Sequence, residues 1–164
     1  MITIQQYLQY VDEIMIPTEA MFELVPDEKI DWSVIEGFFT LGQLMGHIAG
    51  AVGVYAGGIT KGDWTFQSMR EILVRNRRSP SVTKSVALDE LRKNVILFKS
   101  GIAALTPEEF NAGTVFAPQF GGNQTPRWRI ALLFLEHHNN HKAELFMSLK
   151  VMGQKLNTGH LYRG

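Results

Sequence analysis

From Thr125 to Leu156 apolar residues recur on a helical period, and a helix of that length is not stable alone in water. It needs partners of matching length along its apolar face, which already points to a bundle. Thr125 is expected as N-cap, with Pro126 at the first helical position, where proline's missing N–H costs nothing. Gly153 weakens the helix near its far end.

Three further segments supply the partners. A capping box, Thr3 with Gln6, opens the first, followed by Tyr7, Leu8, Val11, Ile14, Met15, Phe22 and Leu24. Pro17 is expected to kink this helix or mark an early turn. A second box, Thr40 with Gln43, opens a helix to about Gly57, with Leu41, Leu44, Met45, Ile48, Ala51, Val52 and Tyr55 on its apolar face. The third begins around Ser85 and carries Leu88, Leu91, Val95, Ile96, Phe98, Ile102 and Leu105.

Between them lie a polar connector from Val25 to Gly37 and a turn-rich break from Gly57 to Asp63. A short helix, roughly Thr65 to Val74, runs into the exposed cluster Arg75-Asn76-Arg77-Arg78. Thr106-Pro107-Glu108-Glu109 resembles another helix start, and Asn111 to Gln124 reads as a loop or short extended piece. The tail from Asn157 to Gly164 is expected to be loosely held. The pattern predicts an all-α fold: an antiparallel four-helix bundle with a short extra helix and long connecting loops, as a single domain over residues 1–164.

Sixteen Lys and Arg balance sixteen Asp and Glu, so no global field draws in nucleic acid or an anionic membrane. The absence of cysteine excludes disulfides, thiolate ligands and a cysteine nucleophile. The N-terminus lacks a basic region followed by an apolar run, and no stretch approaches the roughly 18 apolar residues of a membrane helix. The expected location is the cytoplasm.

The chemistry concentrates in the histidines. Of five, three crowd into Glu136-His137-His138-Asn139-Asn140-His141. At about 100° per residue, His137 and His141 point within about 40° of each other, on nearly the face of Ile130, Leu133, Phe134 and Leu145. His138, at i, i+3 from His141, is the alternative, but spacing i, i+4 stacks the rings more directly and favours His137. Two inward imidazoles make half a metal site. His47 is the remaining histidine inside a predicted helix and the candidate third ligand. A lone inward histidine is more often a satisfied core residue; the pair together with His47 argues for a site. Three neutral imidazoles leave a coordination position open, as catalytic sites do. The donors suit zinc, nickel, copper or iron, with zinc or nickel the expected divalent ion. The arginine cluster reads as a solvated loop, Trp32, Trp64 and Trp128 as packing residues, Gly121-Gly122-Asn123 as a turn, and His160 as chemically idle.

The run Pro26-Asp27-Glu28-Lys29-Ile30-Asp31-Trp32, the segment Thr40-Leu41-Gly42-Gln43-Leu44-Met45-Gly46-His47-Ile48-Ala49 and the block from His137 to Leu145 together resemble the DinB family of YfiT-like metalloenzymes. The resemblance implies a four-helix bundle with a metal-binding histidine triad, matched residue by residue by His47, His137 and His141. Where the family often has Arg-Gly-Gln after its last histidine, this chain has Lys142-Ala143-Glu144, so the family's contacts there do not carry over. Glu144 could instead orient a neighbouring histidine or pair with a cation.

The resemblance further implies a metal-dependent transferase or hydrolase acting on a small-molecule substrate, with low-molecular-weight thiols as the first partners to test. The alternative is a non-catalytic, metal-stabilised stress-response or binding protein, which a fourth ligand such as Glu136 or Glu144 would favour. Leu132, Leu135, Phe146 and Leu149 lie beyond the histidine face and suggest a homodimer, an arrangement common in the family.

Overall fold

Hydroxyl side chains set where the helices begin. The structure, a computed structural model, describes residues 2–164. Thr3 opens α1 (Ile4–Glu23) and Thr40 opens α2 (Leu41–Lys61), both with complete capping boxes. Ser68 caps α3 (Met69–Arg77), Thr83 caps α4 (Lys84–Ala103), and Thr106 with Glu109 boxes the short α5 (Pro107–Asn111). A hairpin of β1 (Thr114–Ala117) and β2 (Asn123–Pro126) follows, then α6 (Arg127–Val151) and α7 (Gly159–Tyr162).

The four long helices form the expected bundle. α2 packs on α4 and α6, and α1 closes the ring against the same two. Tyr7, Phe22, Phe98, Phe110 and Phe134 are fully buried among Met21, Leu44, Met45, Ile48 and Leu91. Tyr7 donates to the carbonyl of Ala131 at 2.9 Å, which satisfies its hydroxyl inside the core. Among the described residues no helix is long and apolar enough to cross a membrane.

Several boundaries differ from the sequence reading, each for a local reason. α1 continues as one helix across buried Pro17, with no turn there. α2 runs past Gly57 to Lys61, and Gly58 packs against the Trp64 ring so closely that a Cβ would not fit there. The helix stops only at Gly62, whose φ of +69° is the left-handed cap that favours glycine. α3 starts later than Thr65, since Ser68 is the residue that caps it.

Thr125 is not the cap of the last long helix. It pairs with Val115 in the hairpin and gives its hydroxyl to the carbonyl of Asn123, so Pro126 takes the cap position. That helix also ends before Leu156: Met152 caps it, and Gly153 turns the chain at φ +100°. The span from Asn111 to Gln124 includes β1 and its 3-10 turn, Pro118–Phe120. The tail is held after all. α7 lies against α1, Leu161 packs on the core, and the carbonyl of Leu161 accepts from Lys142 at 3.0 Å.

Leu135, Phe146 and Leu149 are buried within the chain and Leu132 packs against its core, so their apolar character needs no partner chain to explain it. Trp64 is buried and Trp32 partly so, whereas Trp128 is 39% exposed and does little packing.

Candidate metal centre

The capping box at Thr40 fixes the start of α2 and therefore the phase of His47, two turns inside it. On α6, His137 and His141 stack one turn apart and face it. The Nε2 atom of His47 lies 3.3 Å from that of His137 and 3.2 Å from that of His141. The rings meet edge to face, at interplanar angles of 62°, 82° and 70°.

This spacing fits a shared cation. With metal–nitrogen bonds of about 2.0–2.1 Å, the edge between two donors of a tetrahedral site is about 3.3 Å. The protonation pattern fits as well. Burial, and then the neighbouring histidines, push His47 down to about 3 and His137 to about 4, so both are neutral at physiological pH. Nδ1 of His141 lies 2.8 Å from Oε2 of Glu144, a pairing that places the proton on Nδ1 and leaves Nε2 a lone pair. His47 can donate to one neighbour at most, and a cation would relieve the lone pairs left unpaired. Nδ1 of His137 is buried without a hydrogen-bond partner, so no acceptor fixes its tautomer as Glu144 fixes that of His141. The three histidines could therefore hold a divalent ion.

His138 looks elsewhere. Thr18 gives its hydroxyl proton to the carbonyl of Ile14 at 2.8 Å, so the 2.9 Å contact between Thr18 and Nε2 of His138 has the imidazole as donor. That ring is sealed between α1 and α6 and its Nε2 lone pair is gone. Glu136 is exposed and pairs with Arg129 at 3.6 Å, and Glu144 is engaged with His141, so neither joins the Nε2 cluster. His160 bonds only locally, to Asn157.

The cluster opens into a cleft of about 920 Å³. Phe39 stacks on His47 at 5.3 Å and Tyr55 lies 5.6 Å from His137. Phe38, Phe66, Met69 and Leu73 continue the wall outward, and Arg75 and Glu90 are its charged members beside Glu144. The sequence reading missed Phe39, Tyr55, Arg75 and Glu90 as site residues. Phe39 had a signal: it precedes an N-cap, where a hydrophobic staple fixes the entering chain. Arg75 belongs to the cluster read as solvated, yet it lines the cleft, donating to the carbonyl and hydroxyl of Thr65 at 3.2 and 3.0 Å.

Fold and site together define a helical-bundle protein with a histidine triad at the foot of an open cleft. The family model of the DinB superfamily matches residues 17–145, and the chain belongs to that superfamily. A DinB-like protein from Bacillus subtilis, 16% identical, shares the fold over 96% of this chain and 99% of its own, with a TM-score of 0.72. One from Bacillus cereus, 18% identical, does so over 93% and 95%, with a TM-score of 0.73. A mycothiol-dependent maleylpyruvate isomerase, 14% identical, shares it over 98% of this chain and 65% of the isomerase, with a TM-score of 0.60. No curated protein matches the sequence.

Proposed function

We propose that the protein is a single-domain, cytoplasmic metalloenzyme that holds a divalent ion, zinc or nickel, on His47, His137 and His141, and that it is a thiol-dependent transferase acting on a small molecule. The observation that carries this reading is the convergence of the imidazole Nε2 atoms within 3.2–3.3 Å of His47 at the foot of an open cleft. A divalent ion bound there lowers the pKa of a thiol or of water and so supplies a nucleophile near neutral pH. The chain's own residues do the rest. Glu144 holds the proton on Nδ1 of His141 and fixes that ring's orientation. Phe39 packs on the His47 ring, and the apolar wall limits water at the reacting end.

The preference for a thiol over water is supported by the fold shared with a mycothiol-dependent enzyme. Hydrolysis at the same site is the variant reading. A non-catalytic, metal-pinned bundle would call for a closed coordination shell, and the nearby carboxylates of Glu136 and Glu144 are committed elsewhere. Two chains are proposed to pair, and exposed Met147 and Val151 on α6 offer apolar surface for it. Sedimentation then gives twice the chain mass of 18.5 kDa, and a monomer at every concentration removes pairing from the reading.

The main test is elemental analysis of untagged protein, followed by thermal shift of the loaded form with small thiols. About one ion per chain and a thiol-dependent rise in melting temperature are expected. A metal-free protein overturns the site, and a loaded protein indifferent to thiols overturns the thiol chemistry.

A further inference from the structure

The wall of the cleft between α2 and α4 carries a carboxylate that, among the described residues, bonds no other group. Glu90 is partly buried and lines the cleft, with Oε1 3.5 Å from where a Cβ on Gly50 would stand. Gly50 follows His47 by one turn of α2, and Cβ positions so related lie about 5–6 Å apart. The carboxylate thus stands on the same cleft wall as His47, one turn further along α2.

Three other polar residues of α4 are committed. Arg92 bonds Glu19 at 2.6 Å, Asn94 bonds the carbonyl of Ala49 at 3.0 Å, and Lys99 bonds Asp12 at 2.6 Å. In the cleft itself Glu144 is held by His141 and Arg75 by Thr65. Among the described residues Glu90 alone of these has neither a hydrogen bond nor an ion pair. A ligand entering this apolar-walled cleft strips water from that carboxylate. A neutral or anionic ligand leaves it desolvated and unpaired, whereas an ammonium group replaces the lost water with a charge-assisted hydrogen bond.

We propose that Glu90 receives an ammonium group of the substrate. The molecule this cleft takes is then a small amine whose metal-binding atom lies a short chain away from its nitrogen. The inference rests on the histidine triad holding a metal ion; it names the chemical class of what reaches that ion. Specificity comes as much from the penalty on the wrong charge as from the new bond.

The test titrates zinc-loaded protein with three thiols that share a two-carbon frame: cysteamine, 2-mercaptoethanol and mercaptoacetate. Because these thiols differ in acidity, the deciding quantity is how the cysteamine-to-mercaptoethanol affinity ratio changes between wild type and Glu90→Gln. The ratio is expected to fall about tenfold in the variant, the size of one charge-assisted hydrogen bond. Glu90→Lys should turn the preference toward mercaptoacetate. An unchanged ratio in Glu90→Gln overturns the proposal and leaves the thiol reading standing. Should loaded protein bind none of the thiols, that reading falls, and Glu90 is judged by the same ratio for glycine hydroxamate against acetohydroxamate, two chelators that need only the metal. Protein that takes up no zinc overturns both.

Discussion

Adjacent histidines on α6 meet opposite fates. His137 joins His47 and His141 at the open cleft, while His138, about 100° round the helix, is sealed against α1 on Thr18. Both rings are neutral, pushed down to about 4 and about 3, in each case chiefly by burial. Burial and a depressed pKa therefore do not separate a proposed ligand from a core residue here. The use of the Nε2 atom does. On one face it converges with two others beside open space; on the other it is spent on a hydroxyl.

The sharpest way to break this contrast is to remove one ring at a time. His47→Ala, His137→Ala and His141→Ala should each weaken metal affinity by more than about 100-fold, beyond the usual effect of losing an outer-shell partner. His138→Ala should leave it unchanged when measured by competition with a chromophoric chelator. Loss of metal in the His138 variant would mean that the two faces are not independent.

The sealed face should answer to stability instead. His138→Ala opens a cavity and removes the bond to Thr18, at an expected cost of about 3 kcal/mol in denaturant unfolding. The pH dependence follows the same residue. Its folded pKa is depressed from 6.5 to about 3, by burial first and then by Lys142 and the neighbouring histidines. The unfolded chain takes up a proton below about 6.5 that the folded one resists, so its contribution is full above that pH and declines as pH falls toward 3. The slope is at most about 1.4 kcal/mol per pH unit from this residue, and His138→Ala should remove that share. An identical acid profile in both proteins would place the proton uptake elsewhere.

Glu144 lies one step outside the triad, and its effect should be smaller than a ligand's. Glu144→Ala frees the tautomer of His141 and should cost about tenfold in metal affinity, with Glu144→Gln retaining most of it because an amide oxygen still accepts from Nδ1. Equal losses in the two variants would mean that charge, not orientation, is what the carboxylate supplies.

The parts legible in the sequence were those written locally. Thr3 with Gln6 and Thr40 with Gln43 announced two helix starts, and the phase of His137 and His141 followed from a period of 3.6. What escaped depends on distant partners. Thr125 looked like a cap until Val115 claimed it for the hairpin, and Gly57-Gly58 looked like a break until Trp64 packed on the helix. Leu135, Phe146 and Leu149 looked surplus because the cover given by their own chain cannot be read along one helix. Glu90 gave no signal, since what marks it is its place in space, on the cleft wall between α2 and α4.

The smallest effect should come from Lys142, the buried lysine one turn beyond His138 on α6. Its ammonium donates to the carbonyl of Leu161 at 3.0 Å, and burial pushes its pKa down from 10.5. A group so depressed charges more readily in the unfolded chain, so at neutral pH it costs stability, and that cost shrinks as pH rises toward 10.5. Lys142→Met relieves the cost and keeps the apolar stem, but it unties α7 from α6. The two effects oppose each other, and water can reach the freed carbonyl because α7 has no buried residue. The net change should stay within about 1 kcal/mol. Proteolysis should nonetheless begin at the tail, since the tie from α6 to α7 is cut. Metal affinity should not move, although Lys142 directly follows His141. If it falls, the sealed face is propping the site through α6, and the contrast between the two sides of that helix is one of degree.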